Sequence, residues 1–404
     1  MSFDYIIVGA GVIGTSTAYY LKKALPDSRI LLIDRNHTAG AGNTAKSAAL
    51  YRNLFSSRTN RTLAGSSIRY YLELGDKVQL DPIGYLWLFS QEQWNSSQKA
   101  IQQIDREKNK FDILDRDAIT GILRVNFRPK GRFPDVHAGI FCHLCGSLSA
   151  MALADHYASG FRSMGGEVRF NTDIKKFNLT GKNSCYAPWD DVYIDGIVDS
   201  KGATYSAGQF IIAAGAWTHD LLAPIGIASG ILPKKRQLFA IKIEEPAQFL
   251  LNPTIRPAII LPAGGVYIKP VPDRNIIIAG CADGLGQPFL MSDPEPDTLY
   301  FQRAIGPVLN HYFPEIKDFT LSLKWAGYYD YHWPDMTPVI ESAANLTWVG
   351  GTSGSGIMKA DAVGRIAAAR VLGHREAVLA NGIVFRVSRL SLRDRDVEKE
   401  ELII

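Results

Sequence analysis

The chain has 404 residues, 46 % hydrophobic and 21 % charged, the balance of a globular protein long enough to bury its cores without disulfides or metals. With 44 Lys+Arg against 40 Asp+Glu the net charge is +4, and the basic cluster Lys234-Lys235-Arg236 is too short for a nucleic-acid partner. No apolar run reads as a membrane span, Met1-Ser2-Phe3-Asp4 does not open like a signal peptide, and four cysteines make no disulfide framework, which points to the cytoplasm.

Residues 5–8, Tyr5-Ile6-Ile7-Val8, are the apolar, β-branched run expected of a strand buried on both faces. Gly9-Ala10-Gly11-Val12-Ile13-Gly14 follows, and a helix is predicted over 15–25, stopped by Pro26. A second strand, 30–33, ends at Asp34, 20 positions after Gly14. Strand, glycine turn, helix, strand and acid in this order form the dinucleotide-binding fingerprint. Gly9 permits the tight turn, Gly11 bares the backbone to a pyrophosphate, and Gly14 lets the helix approach the strand. The helix start offers N–H groups and a positive dipole end to the phosphates. Asp34 can accept from ribose hydroxyls.

Residues 36–62 are small and polar around Gly40–Ala49, with no period of a packed helix or strand. Beside a dinucleotide site, so long a loop reads as a backbone-rich cradle. Downstream, an apolar run at 85–89 precedes a helical stretch over 91–110. A further helix over 148–165 ends at Gly165-Gly166, followed by strands at 167–170 and 173–174. Residues 209–217 read as a buried strand entering a glycine turn. Strands at 238–243, 265–268 and 276–279, with prolines between them, suggest a mostly antiparallel sheet within 221–339. A last strand, glycine loop 350–358 and helix over 359–372 make a second strand–loop–helix unit without a second fingerprint. Residues 393–401 are charged and read as solvated. Cys142-His143-Leu144-Cys145 matches no zinc signature, and Cys185 and Cys281 stand alone, so no metal is expected and the plain reading is buried thiols.

Four blocks in this order, the fingerprint, the loop at 40–52, Ala213-Ala214-Gly215-Ala216-Trp217 and the loop at 350–358, resemble the D-amino-acid oxidase/sarcosine oxidase superfamily of FAD-dependent oxidoreductases. The glycine oxidase, sarcosine oxidase and dye-linked proline dehydrogenase types are most alike, over nearly the whole chain. The resemblance implies an α/β Rossmann-type FAD domain (residues 1–80, 148–220 and 340–404) interleaved with a substrate domain on a mostly antiparallel sheet (81–147 and 221–339). It implies FAD contacts from Gly9, Gly11, Val12, Ile13, Gly14, Asp34 and Arg35, and from Asn43, Thr44, Lys46, Ser47, Ala48 and Ala49. It adds Ile174, Ala214, Gly215, Trp217, Gly351, Gly354, Ser355, Gly356, Ile357 and Met358. Helix N–H groups after the last loop would favour negative charge on the reduced flavin.

The chain departs from the family in three places. Tyr328 stands where some relatives tether FAD through cysteine, and Lys46 where others use histidine, so the FAD is expected to be non-covalent. Met358 stands where a lysine helps hold the substrate carboxylate, with Lys359 next along, which implies the loss of a charge. Arg52 is then the best cation near the flavin. Tyr267 and Lys269 share one face of a strand and are candidates for the substrate side; a packing tyrosine and a solvated strand end are the plain alternatives. Tyr331 and His332 are weaker candidates. Amine oxidation by hydride transfer to flavin N5 needs little acid–base machinery, and no Ser/His or His/Asp constellation is visible.

The expected partner is a small amine or amino-acid substrate. The acceptor (dioxygen, quinone or protein) and homo-oligomerisation stay open. Two alternatives also stay open: a 2-hydroxy-acid or glycerol-phosphate dehydrogenase on the same fold, and a flavoprotein subunit of a larger electron-transfer complex.

Overall fold

The computed structural model describes residues 2–180, 193–252, 254–282, 294–316 and 318–402; Cys185 lies outside them. Strand β1 (Ser2–Val8), helix α1 (Val12–Ala24) and strand β2 (Ile30–Ile33) form as the fingerprint requires. The chain then enters α2 (Arg58–Leu74), β3 (Tyr85–Phe89), β4 (Phe111–Leu114), β5 (Ala138–Cys142) and α3 (Ala150–Ser163). Next come β6 (Glu167–Arg169), β7 (Ile174–Leu179), β8 (Ile194–Asp199) and β9 (Thr204–Ile212). The following strands are β10 (Leu232–Lys242), β11 (Ala258–Ile260), β12 (Val266–Val271), β13 (Ile276–Cys281) and β14 (Thr320–Tyr331). β15 (Val339–Ala343), β16 (Leu346–Gly350) and α4 (Gly356–Val371) complete the frame.

Among the described residues there are two eight-stranded sheets. In the first, β16, β9, β1, β2 and β6 run parallel, with β15 antiparallel at one edge and β8 and β7 continuing from β9. Side-chain alternation along β1 sends Ile7 to the core beneath α1, α2, α3 and α4, and Ile6 and Val8 to the opposite core. The second sheet has the order β14-β10-β13-β12-β11-β3-β5-β4 and is antiparallel except where β11 meets β3. The α/β class with a mostly antiparallel second sheet is therefore as expected.

Three expectations need correction. Residues 36–62 are not free of regular structure: α2 begins at Arg58, where the Ser57 hydroxyl accepts from the Asn60 N–H at 3.2 Å. Its apolar period is hidden because Thr59, Asn60, Ser66 and Ser67 are buried beside Leu63, Ala64 and Ile68. The predicted helix over 91–110 is broken into Gln91–Gln102, opened by a Ser90/Gln93 capping box, and Arg106–Asn109, restarted by Asp105. Finally, the charged tail is solvated only in part: Arg393, Asp394, Asp396, Glu398, Lys399 and Glu401 are exposed, but Arg395 and Glu400 are tied into the fold. The Arg395 guanidinium grips Asp335 with two 2.6 Å bonds and the carbonyl of Thr337 at 2.7 Å, and Glu400 is buried against the start of α2. Arg395, Glu398 and Glu400 each meet partners from a distant segment, which local composition does not report.

The Arg395 pair, with the Thr337 N–H at 2.9 Å, holds the Asp335 carboxyl well below the usual range against the cost of its burial. Replacing Arg395 by Ala is expected to cost about 2–3 kcal/mol at neutral pH, the lower end for breaking a partly screened pair. A carboxylate with a depressed folded value stabilises above its unfolded value, near 4, and ceases to do so as pH falls below it. The difference in urea-unfolding free energy between the unsubstituted chain and Asp335→Asn should therefore shrink below about pH 4.

Candidate active site

Two contiguous cavities lie between the sheets. The larger, about 470 Å³, runs from the fingerprint to β10, β12 and β14. It is lined by Gly9, Gly11, Val12, Ile13, Asp34, Arg35, Asn43, Thr44, Lys46, Ser47, Ala48, Ile174, Ala214, Gly215, Trp217, Gly354, Gly356 and Ile357. These expected residues, scattered over 350 positions, are thus brought to one cleft. Gly14 lies just behind it. Ala49, Ser355 and Met358 line the smaller cavity instead. Gly351 lines neither: a Cβ there would face His332 and Val339.

The turn is built by backbone contact. Gly9 has φ +107°, and a Cβ there would run into the Ala213 carbonyl at the end of β9. A Cβ on Gly14 would overlap the Gly9 carbonyl oxygen. Gly11 is different: its added Cβ would meet only Thr44 Oγ1, at 3.3 Å. Asp34 Oδ2 accepts from the Ala10 N–H at 2.6 Å and Oδ1 from Asn36, so the acid also locks the turn. The Val12 N–H donates to Thr44 Oγ1 at 3.1 Å, leaving the Ile13 and Gly14 N–H groups as first-turn donors without helical acceptors. The second helix start, α4, opens at Gly356 rather than at 359, so Gly356 and Ile357 face the same cleft with their N–H groups. Turn, acid, bare Gly11 backbone and two helix N-termini could hold a dinucleotide that carries a further ring system.

Arg35 stacks over Trp217 at 3.9 Å. Tyr329 and Asp330, singled out by no sequence signal, also line the cleft. Asp330 accepts from the Thr352 hydroxyl at 2.6 Å and N–H at 3.1 Å, tying β14 to the glycine loop, while burial pushes its carboxyl up. Tyr329 fills the space that a Gly354 side chain would need.

The smaller cavity, about 120 Å³, shares Ser47, Ala48, Tyr267, Tyr329, Gly354 and Ile357 with the larger. Arg52 lines it, 7 % exposed, donating to the carbonyls of Leu54 and, at 3.0 Å, Leu402. Lys359 lines it too, fully buried, with Nζ 2.7 Å from Asn60 Oδ1 and 4.7 Å from the Phe55 ring. Burial pushes this amine down to about 7, with Glu400 countering and Arg52 reinforcing the shift. The expected loss of charge at Met358 is therefore corrected: within the first turns of α4, Lys359 lines the small cavity together with Met358. Tyr267 lines both cavities, over Gly280 of the neighbouring strand, and burial keeps its phenol neutral. Lys269 lines neither. It is not a solvated strand end: Nζ donates to the Ala48 carbonyl at 3.0 Å, and burial pushes it down to about 8.

Tyr331 and His332 lie outside both cavities, bonded to Met336 Sδ and the Gly230 carbonyl. Cys142 and Cys145 are buried free thiols, the latter 3.7 Å from Asn53 Oδ1. No group of three or more His, Cys, Asp or Glu that could hold a metal occurs among the described residues.

The glycine geometry separates two substitutions. Gly14→Ala should lower the melting temperature of the purified chain by several degrees, since backbone must shift. Gly11→Ala should leave it within about 2 °C, since the methyl group would meet only the Thr44 hydroxyl at 3.3 Å, which needs to give by a few tenths of an ångström rather than shift backbone. Differential scanning calorimetry without added nucleotide reads both.

The profile of the family described as "DAO: FAD dependent oxidoreductase" matches residues 4–370. FAD-dependent oxidoreductase domain-containing protein 1 of Bos taurus is 24 % identical, covering 95 % of this chain and 84 % of its own. Glycine oxidase of Pseudomonas aeruginosa is 27 % identical over 81 % and 82 %, and L-2-hydroxyglutarate dehydrogenase of Escherichia coli is 24 % identical over 68 % and 63 %. The crystal structure of L-proline dehydrogenase from P. horikoshii superposes with a TM-score of 0.76 at 21 % identity, covering 92 % of this chain and 94 % of that one. No helix among the described residues is long and apolar enough to cross a membrane. The glycine turn, the paired helix starts and a profile match over nearly the whole length lead to one conclusion: the chain belongs to the DAO family of FAD-dependent oxidoreductases.

Proposed function

We infer that the chain oxidises a small amino acid or secondary amine bearing a carboxylate. The observation that carries this reading is the pair of buried cations, Arg52 and Lys359, in a small cavity contiguous with the large cleft. In this reading the large cleft holds FAD on the first sheet's half of the molecule, and the second sheet roofs the substrate.

Bound FAD supplies the hydride acceptor. Arg52 and Lys359 clamp the carboxylate, fixing the α-carbon toward the shared wall of the two cavities. Tyr85, Ala258 and Ile260 exclude water there. The first turn of α4 presents N–H groups to the cleft, which favours negative charge accumulating beside it. Lys269 holds the 43–49 loop through Ala48 and acts as a positioning residue. Tyr267 closes the boundary as a neutral phenol. Among the described residues, neither cavity is lined by cysteine or histidine, which supports non-covalent FAD.

The same clamp would suit a 2-hydroxy acid, and the likeness to an L-2-hydroxyglutarate dehydrogenase keeps that second reading in view. Oxidising an alcohol requires a base for the hydroxyl proton. The Glu400 carboxylate in the small cavity is already held by the N–H groups of Ser56, Ser57 and Leu402, the Ser56 hydroxyl and the Asn60 amide. An amino acid can lose its ammonium proton to water before it binds, whereas an alcohol holds its hydroxyl proton until hydride leaves, so the amine reading is favoured.

Anaerobic mixing of the FAD-loaded protein with glycine, sarcosine, proline, D-amino acids and 2-hydroxy acids tests this. An amine should bleach the flavin absorbance; bleaching by hydroxy acids alone would overturn the reading. Acid precipitation should leave the flavin in the supernatant. Lys359 is charged below about pH 7 and neutral above it, so acetate, as a competing carboxylate, should bind about tenfold more weakly at pH 8 than at pH 6. Lys359→Met should flatten that profile.

A further inference from the structure

The segment 398–402 is joined to the small cavity by an unusual number of bonds for a tail of charged residues. Glu398 Oε2 accepts from the Thr59 N–H at 3.1 Å and hydroxyl at 2.8 Å. Glu400, 4 % exposed, accepts from the Ser56 N–H at 2.8 Å, the Ser57 N–H at 3.2 Å and Asn60 Nδ2 at 3.2 Å. Both acids therefore satisfy donors at the start of α2, whose dipole favours them. Asn60 passes the contact on, since its Oδ1 receives Lys359 Nζ. Two residues later the Leu402 carbonyl accepts from Arg52 Nη2 at 3.0 Å, and its side chain, 2 % exposed, joins the core around Leu50, Tyr85, Ala258 and Ile260. Glu400 and Leu402 both line the cavity.

We propose that residues 398–402 are a wall of the substrate cavity, and that Leu402 sets the size of substrate side chain it admits. This rests on the reading of Arg52 and Lys359 as the carboxylate clamp. A substrate held by its carboxylate on two cations of a 120 Å³ cavity must lay its side chain against the apolar lining, and Leu402 is the part of that lining delivered by the tail. Glu400 anchors the strap and, through Asn60 and the Leu402 carbonyl, is a positioning residue for both cations. Its own carboxylate is fully occupied by donors, so it does not meet the substrate.

The test titrates the FAD-loaded full-length chain with acetate, butyrate and benzoate, read as perturbation of the oxidised flavin spectrum. The unsubstituted chain should bind acetate in preference to benzoate. Leu402→Ala should improve benzoate relative to acetate about tenfold or more with unchanged flavin content, the scale expected when a pocket gains room for added carbons. Leu402→Phe should shift the ratio the other way, so the proposal stays testable if the alanine variant fails to fold. Glu400→Ala should relax the discrimination and, by freeing the strap backbone, speed limited tryptic cleavage after Lys399, whose side chain is already exposed. Acetate binding with a ratio unmoved, within about twofold, in both Leu402 variants overturns the strap alone. If no carboxylate perturbs the unsubstituted chain, the clamp and the strap both fail.

Discussion

Everything in this protein hangs on one backbone-to-backbone approach: Gly14 of α1 against the carbonyl of Gly9, and Gly9 against the carbonyl of Ala213. No side chain fits at either place. The contact brings the start of α1 down onto the ends of β1 and β9, so that the Ile13 and Gly14 N–H groups open on the crevice beyond the strands. β16, paired with β9, then delivers the glycine loop and α4 to the same crevice. Two positive helix ends meet one cavity because three parallel strands stop there. In the proposed reading, FAD lays its phosphates at one helix start and its ring near the other.

The second sheet has a different task. β14, β12 and β10 roof the cleft, and the hydrogen bonds across the gap are few and specific. Trp325 donates to the Lys46 carbonyl at 2.9 Å, the Tyr328 N–H to Asn43 at 3.0 Å, and Lys269 to Ala48 at 3.0 Å. All three hold the 43–49 loop rather than the fingerprint. The loop is thus shaped from both sides, by Thr44 on the first sheet's side and by these contacts from the second. Its own sequence, small and polar, has no packing preference that would impose one conformation.

What could be read from the sequence follows the range of the forces involved. The fingerprint is legible because each glycine answers to a neighbour within a few residues, or to a strand end that a buried apolar run announces. The start of α2 is not, because its buried face carries polar residues, and the partners of Thr59 and Asn60 there, Glu398, Glu400 and Lys359, lie about 300 positions away. Lys359 was hidden for a related reason. The helix starts at Gly356 rather than at 359, and within its first turns Lys359 lines the small cavity together with Met358. The tail misleads most. A run of alternating charges has the composition of a solvated segment, yet its acids cap a helix and its last leucine enters a core.

The proposed function turns on a carboxylate held between Arg52 and Lys359, beside a flavin in the large cleft. A crystal structure of the FAD-loaded protein with acetate bound tests this most directly. The acetate oxygens should lie on the Arg52 guanidinium and the Lys359 amine, with the methyl group toward Leu402. Acetate absent from the small cavity while bound elsewhere near the flavin, or a flavin ring lying away from Gly354–Ile357, would contradict it.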